Sequence, residues 1–238
     1  MKTILHKASD RGFANHGWLQ ANHSFSFAQF YNPEKIQFGA LRVLNDDVIA
    51  PSMGFSTHPH DNMEIITIPL KGTLKHKDSM GNKWETIQSG EVQIMSAGSG
   101  LMHSEMNAKT DEYLSLFQIW IIPNKTNVTP RYDQRFFNAE ERQGKLQTLV
   151  SSIDNQDEGL KIHQDAKLSR IDLAQGQNYT YNTISKSHGT YVMTISGDVV
   201  INDNDLSSRD ALGVSDTDSF TINTNSNAQL LFIEVPMS

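Results

Sequence analysis

Residues 64–95 read EIITIPLKGTLKHKDSMGNKWETIQSGEVQIM, and this stretch decides the fold class. Short apolar runs alternate in it with turn residues, which are Lys71-Gly72, the DSMGN segment at 78–82 and Ser89-Gly90. Gly, Asn, Asp and Ser suit such turns because they tolerate positive φ or bond to nearby backbone. Long helical periodicity is absent, so the stretch predicts successive hairpins of an all-β sandwich or barrel.

The same rhythm of short strands continues on either side of this stretch. The run Leu114–Ile122 is almost wholly apolar and ends at Pro123, which indicates a strand covered on both faces. The composition then becomes polar and charged, and beyond Lys145 the strands resume. We therefore predict two β-domains at 1–124 and 146–238, joined by a linker at 125–145.

The composition excludes several classes of function. The 238 residues include 20 Lys and Arg against 27 Asp and Glu, a net charge of −7, with no basic run. Direct nucleic-acid binding is not expected, because it depends on a basic surface. The chain has no Cys, so it contains no disulfide, zinc–thiolate site or thiol nucleophile.

Met1–Ala8 lacks the apolar segment of a signal peptide, and we expect a cytoplasmic protein without a membrane span.

Three of the nine His stand in patterns that suit a metal site. His58 and His60 flank Pro59, and residues i and i+2 of a strand point to the same face. His103 and Glu105 form a second such pair behind a Gly-rich turn. Two neighbouring strands with these pairs would present three imidazoles and one carboxylate, a donor set that suits Fe, Mn, Ni, Cu or Zn.

Longer motifs place these residues in a known pattern. The spacing Gly54-x3-His58-x-His60-x3-Glu64-x7-Gly72, followed by Gly90-x12-His103-x3-Asn107, is similar to the two cupin motifs with slightly altered spacing. Five stretches resemble the pirin family more closely, and this resemblance extends over nearly the whole chain. They are GWLQANHSFSF (17–27), LRVLNDDVIAP (41–51), THPHDNMEIIT (57–67), HKDSMGN (76–82) and SAGSGLMHSE (96–105).

The resemblance to pirins implies a bicupin, an all-β chain of two jelly-roll barrels packed face to face. It also implies one metal in the N-terminal barrel, with the family's ligands falling on His58, His60, His103 and Glu105. In many other cupins the carboxylate ligand would be Glu64. The intact His-x-Glu pattern favours Glu105, which leaves Glu64 either orienting an imidazole or serving as an ordinary strand residue. The second barrel lacks both patterns, so we expect no metal there.

The resemblance further implies quercetinase activity, the dioxygenation of a flavonol such as quercetin with ring opening and loss of carbon monoxide. Glu105 would then be the base that accepts the proton of the flavonol 3-hydroxyl. The cofactor is expected to be one divalent transition metal, iron first, with Zn, Mn, Ni, Co and Cu suited by the same donors. The expected partners are the flavonol and O2, and the expected state is a monomer.

Two other functions stay open at this stage. Pirin-like proteins include transcription cofactors and regulators of metabolic enzymes. The chain is therefore alternatively a metal-loaded interaction module that binds a protein partner and has incidental quercetinase activity. A third interpretation is a metal-free cupin that binds or isomerises sugars.

Four other histidines are interpreted from their sequence contexts as surface or hydrogen-bonded residues rather than ligands: His6, His76, His163 and His188. His16 and His23 lie in the N-terminal stretch that resembles the pirin family, and for them a structural role is favoured over a catalytic one.

Overall fold

The computed structural model describes residues 1–238, and its regular structure is almost entirely β-sheet. Two short segments of 3₁₀-helix, Ala8–Asp10 and Ala139–Arg142, are its only helical segments. The predicted all-β class is therefore confirmed.

The strands are numbered in chain order. Those of the first half are β1 (Lys2–His6), β2 (Gly12–Asn15), β3 (Leu19–His23), β4 (Leu41–Ile49), β5 (Gly54–His60), β6 (Glu64–Lys71), β7 (Thr73–Asp78), β8 (Glu85–Gln88), β9 (Glu91–Ser96), β10 (Leu101–Asn107), β11 (Leu114–Ile121) and β12 (Arg131–Phe136). Those of the second half are β13 (Gln147–Ser152), β14 (Leu160–Ile162), β15 (Lys167–Leu173), β16 (Asn178–Asn182), β17 (His188–Ser196), β18 (Val199–Ile201), β19 (Asn204–Leu206), β20 (Ala211–Ser215), β21 (Ser219–Thr224) and β22 (Ala228–Pro236).

The strands form four sheets. The large N-terminal sheet has the order β12-β9-β6-β11-β4-β3-β2, and the small N-terminal sheet has the order β5-β10-β7-β8. The large C-terminal sheet has the order β1-β20-β17-β22-β15-β13-β14, and the small C-terminal sheet has the order β16-β21-β18-β19. The second half of the chain thus repeats the combination of one large and one small sheet.

Two strands belong to other parts of the fold than the predicted domain boundaries indicate. β1 falls within 1–124 but pairs with β20, so it belongs to the large C-terminal sheet. β12 falls within the predicted linker 125–145, yet it pairs with β9 and forms an edge of the large N-terminal sheet. The polar residues of β12 fit an edge strand, and the same composition is typical of a linker. The partner of β1 cannot be read from local composition, because the pairing joins residues more than 200 positions apart.

β11 lies inside the large N-terminal sheet, between β4 and β6. Its side chains alternate, so that Leu116 packs into the N-terminal half while Phe117 and Ile119 join a cluster shared with the C-terminal half. The prediction of a strand covered on both faces is confirmed. The shared cluster contains 25 buried residues from both large sheets and holds the two halves together.

The interiors of the two halves differ. In the C-terminal half, one cluster of 14 buried apolar residues fills the space between the large and small sheets, with Tyr181 stacked on Phe232 at 4.6 Å. In the N-terminal half, the same space holds two smaller clusters, one containing Leu74 and the other containing Met95. The N-terminal interior therefore leaves room for polar side chains.

A row of buried polar residues, here called the polar band, crosses this interior. The strand registers place His23, Asn45, Gln118, Thr67 and Gln93 side by side on β3, β4, β11, β6 and β9. All five side chains are buried. Burying polar groups is costly unless they find partners, so a polar band of this kind points to a site that uses it.

A buried ion-pair group also joins the two halves. Asp46 Oδ2 on β4 accepts from Arg11 Nη1 at 3.3 Å and from Arg209 Nε, in the C-terminal half, at 3.0 Å. The Arg209 guanidinium lies 5.3 Å from the centre of the Phe117 ring. The group thus fixes the end of β19 and its following loop against the large N-terminal sheet.

Replacing Asp46 by asparagine is expected to lower the free energy of unfolding by about 3 kcal/mol, because it leaves two guanidinium groups without their counter-charge. Denaturant unfolding measures this change. Asp216→Asn is the matched control, since Asp216 pairs with Lys2 at the exposed surface and little change is expected. Equal stability of the two variants would contradict a structural role for the Asp46 group.

Candidate metal centre

Two adjacent antiparallel strands, β5 and β10, present the predicted ligand pairs. Exposure alternates over the last three residues of β5, where His58 and His60 turn inward while Pro59 between them is exposed. On β10, His103 and Glu105 are both buried and lie on one face. His103 is directly opposite His58, and the register shifts between His103 and Glu105. Such irregularities re-aim side chains and are frequent beside functional sites.

The three imidazoles converge on one point. One ring nitrogen from each of His58, His60 and His103 lies within 4.8 Å of the other two. The Nε2 atoms of His58 and His103 are 2.9 Å apart. His58 Nδ1 lies 2.7 Å from the Ser56 carbonyl oxygen, to which it must donate. That bond fixes the tautomer and leaves the lone pair of His58 Nε2 directed at the cluster.

This arrangement fits a divalent transition metal. Two nitrogens held about 2.0–2.1 Å from a common ion, at right angles, are about 2.9 Å apart. Burial, followed by the neighbouring His58, lowers the pKa of His60 to about 4. Burial, followed by the charges of His58 and His60, lowers the pKa of His103 to about 2. The His60 and His103 rings are therefore neutral at pH 7, as metal ligation requires.

Glu105 lies in the same cavity but outside the group of converging histidine nitrogens. Gln118 Nε2 of the polar band donates to Glu105 Oε2 at 2.8 Å. The other oxygen, Oε1, is buried without a hydrogen-bond partner in the protein. Burial raises the pKa of Glu105 to about 7, against the opposing hydrogen bond from Gln118. One carboxylate oxygen is thus held while the other is free to meet a ligand.

The cavity that contains these groups has a volume of about 450 Å³, within the range that accepts drug-sized molecules. Aromatic side chains form much of its wall: Trp18, Phe27, Phe55 and Trp120. The Trp120 ring lies 4.9 Å from the His60 ring, nearly perpendicular to it, and 5.4 Å from Phe27. A flat apolar molecule could lie between these walls with one end at the histidines.

Several lining residues were missed by sequence reasoning. Asn45 and Asp47 on β4 and Gln118 on β11 line the cavity, and each interrupts the apolar residues on the inward face of its strand. That interruption on the inward face was the available signal. Burial, followed by the adjacent Asp46, raises the pKa of Asp47 to about 8, and its Oδ1 is buried without a partner.

Glu64 does not line this cavity. It lies on β6 next to Ile65, which does, and neighbouring strand residues point to opposite faces. Glu64 Oε2 accepts from the Ser96 hydroxyl at 2.6 Å, and burial raises its pKa to about 7. The structure places it away from the imidazoles, as a buried, hydrogen-bonded strand residue.

The interpretation of His76 as a surface or hydrogen-bonded residue is wrong. Its side chain is 1% exposed and stacks on Tyr132 at 4.9 Å, 5.3 Å from the His103 ring. Its Nε2 has no hydrogen-bond partner. The flanking Lys75 and Lys77 suggested an exposed hairpin, but strand alternation sends them outward and His76 inward.

The other histidines agree better with the roles predicted for them. His16 is exposed, and His163 is half-buried beside a separate surface pocket. His6 bonds Tyr191, His23 bonds Asn45, and His188 bonds Ser185. His23 also lines the cavity, as the first member of the polar band.

Comparison with known proteins identifies the family. The family model for pirin matches residues 6–121, and a model described as the quercetinase C-terminal cupin domain matches residues 149–235. A protein of Escherichia coli (strain K12) named quercetin 2,3-dioxygenase is 46% identical over 232 residues, which is 98% of each chain. The chain belongs to the pirin family. A pirin-like protein of Caulobacter vibrioides is 41% identical over 223 residues, 94% of this chain and 95% of its own.

Solved pirins share the fold of the whole chain. The crystal structure of bacterial pirin YhhW from Escherichia coli in complex with nickel(II) superimposes with a TM-score of 0.93 and 41% identity, covering 100% of both chains. The resemblance inferred from the sequence motifs is therefore confirmed, as is a two-domain pirin fold of the cupin type. No helix in this pirin has the length and apolar character needed to cross a membrane.

Proposed function

We propose that this pirin is a metal-dependent dioxygenase that opens the flavonol ring of quercetin with O2. The observation that carries the proposal is the convergence of three imidazoles in an aromatic cavity of about 450 Å³. The identity to the Escherichia coli protein named quercetin 2,3-dioxygenase supports the same reaction. The proposal includes two closed cupin barrels packed face to face, which the apolar cluster shared by the two large sheets supports.

His58, His60, His103 and Glu105 would hold the metal. Their donor set suits iron, which we propose, and nickel, which the Escherichia coli pirin structure contains. When bound there, a divalent ion would lower the pKa of a coordinated hydroxyl and stabilise the resulting oxyanion. The C-terminal half offers no comparable cluster of His, Asp or Glu, since its interior is filled by apolar side chains.

Glu105 is the proposed base. Its Oε1 atom is free to accept the proton of the flavonol 3-hydroxyl, while Gln118 holds Oε2 in place. A base must lie within hydrogen-bond reach of its proton, and a substrate hydroxyl presented to the histidines would meet Glu105 in the same cavity. The aromatic walls exclude water from this proton transfer and orient the flat substrate.

The direct test reconstitutes the metal-free protein with Fe(II), Ni(II), Mn(II) or Zn(II) and follows quercetin and O2 together. We expect equimolar loss of both, because dioxygenation consumes one O2 for each ring opened. Loss should require the metal. A metal-loaded protein that consumes neither quercetin nor O2 would overturn the proposal.

Trp120→Ala is expected to raise KM for quercetin about tenfold or more, with a smaller effect on kcat. The reason is that the indole forms a wall that contacts substrate and transition state alike, and burying such a side chain contributes about 1.5–3 kcal/mol. Steady-state kinetics measure both constants. Trp84→Ala is the matched control, because Trp84 is exposed, lies outside the cavity and has Lys75 over its ring. Unchanged KM in Trp120→Ala would place the substrate elsewhere.

A further inference from the structure

A second cavity lies between the two halves of the chain, and we call it the interdomain cleft. It has a volume of about 690 Å³ and shares no lining residue with the metal centre. Lys71 and Ser115 line it from the large N-terminal sheet, while Arg142, Arg170 and Arg209 line it from the C-terminal half. A cavity of this volume is large enough for a small organic molecule.

The lining of the interdomain cleft is strongly basic. Four cationic side chains contribute to it, Lys71 and the three arginines, and no Asp or Glu does. This concentration of positive charge is unexpected in a chain whose net charge is −7. A cavity lined by one sign of charge favours a ligand of the opposite sign.

Arg170 has no partner within the protein. Arg170 is 8% exposed, and its Nε is fully buried. Its guanidinium forms no salt bridge and donates no hydrogen bond to the protein. The carboxylate of Asp172, two residues further along β15, already accepts from Arg142 Nε at 3.1 Å, Gln143 Nε2 at 3.2 Å and Gln229 Nε2 at 3.3 Å. Other donors therefore occupy three of the roughly four acceptor positions of the Asp172 carboxylate, and none of the three bonds comes from Arg170.

Arg209, the third arginine of the interdomain cleft, already pairs with a carboxylate, as Arg142 does. Its Nε donates to Asp46, which accepts from Arg11 as well. Two carboxylates, Asp46 and Asp172, thus pair with three of the four guanidinium groups in this region, and Arg170 is the one left unpaired. The three paired groups are those of Arg11, Arg142 and Arg209. The burial of Arg170 is the first cause that lowers its pKa to about 10, followed by the charge of Arg142.

A buried charge without a counter-charge destabilises the folded protein. The N–H groups of a guanidinium lie in one plane and can bond two oxygens of a carboxylate or phosphate at once. We propose that the interdomain cleft binds a small organic oxyanion, a phosphate or carboxylate carried on an apolar body, with Arg170 as its principal anchor. Leu70, Phe136, Phe137 and Ile195 line the same cleft and would contact the apolar body. This site is separate from the metal centre and does not depend on the proposed oxygenase activity.

Isothermal titration calorimetry of the full-length protein tests the proposal with four probes. Phenyl phosphate and benzoate distinguish the two oxyanions, inorganic phosphate lacks the apolar body, and sodium chloride at matched ionic strength measures non-specific screening. We expect phenyl phosphate or benzoate to bind the wild type, and inorganic phosphate to bind more weakly. No heat beyond the chloride control with any probe would overturn the proposal.

Variants place the binding in the interdomain cleft. Arg170→Met keeps the bulk of the side chain, and we expect it to weaken binding at least about tenfold, because charge-assisted hydrogen bonds are lost. Lys186→Met removes the same charge at the exposed surface and should leave the affinity unchanged. Equal affinity of Arg170→Met and wild type would locate the probes elsewhere and overturn the proposal.

If Arg170→Met does not fold, Lys71→Gln replaces it in the test. Lys71 is an exposed lining residue, so this variant should fold normally. We expect two- to fivefold weaker binding, because an exposed charge contributes modestly. Unchanged affinity in Lys71→Gln would then overturn the proposal.

Discussion

Replacing His103 by alanine is expected to reduce quercetin turnover by more than about a hundredfold at saturating metal. Mutating a residue that merely orients a ligand already costs 10–100-fold in metal affinity or activity, and His103 supplies one of the three converging nitrogens. The loss also opens a space beside His58, whose Nε2 lies 2.9 Å from the missing ring nitrogen. The measurement is the initial rate of quercetin loss with reconstituted protein.

The control for this variant is His16→Ala, which removes an exposed imidazole outside the cavity. Its turnover should match the wild type. A His103→Ala variant that keeps a comparable rate, with its fold verified by circular dichroism, would show that the three histidines are not the reactive centre.

Replacing Glu105 by glutamine is expected to lower kcat by about 10²–10⁴-fold while much of the metal remains bound. The amide keeps the volume of the side chain, and its oxygen can still accept from Gln118 Nε2. It cannot take a proton at the position of Oε1, so the flavonol hydroxyl loses its base. Quercetin turnover and elemental analysis of the same preparation separate the two effects.

Glu64→Gln is the matched control, because Glu64 is an equally buried carboxylate of the same half that lies outside the cavity. It should turn over quercetin at the wild-type rate. Undiminished quercetin consumption by Glu105→Gln would remove Glu105 from the proton transfer.

The sequence predicted the site's local geometry because strand alternation is a local property. His-x-His and His-x-Glu each place two side chains on one face, and in the structure β5 and β10 pair so that His58 faces His103. The same alternation, applied to Lys75 and Lys77, would have placed His76 inside. The charge of these two lysines instead indicates an exposed hairpin, and that prediction is wrong for His76.

Long-range pairing could not be predicted in the same way. The interpretation of 1–124 as one unit fails at β1, because its partner β20 lies at the other end of the chain. The polar band is a further example. Asn45, Gln118 and Thr67 look like isolated polar residues along the chain and become a continuous row only through the registers of β4, β11 and β6.

The contrast between the two interiors gives a physical reason for one site in two similar halves. The N-terminal interior divides its apolar contacts into two small clusters and places the polar band between them, beneath Glu105. The C-terminal interior contains a single apolar cluster, which includes Tyr181 and Phe232. Apolar side chains fill most of that interior, and no group of three His, Asp or Glu side chains that could hold a metal lies in the C-terminal half.

The number of divalent ions bound per chain tests the central claim most directly. The wild type and the triple variant His58→Ala/His60→Ala/His103→Ala are loaded with Fe(II) or Ni(II), freed of excess metal and analysed for metal and protein. We predict one ion per chain for the wild type and none for the triple variant. An ion retained by the triple variant, or two ions in the wild type, would contradict a single metal centre built on these three histidines.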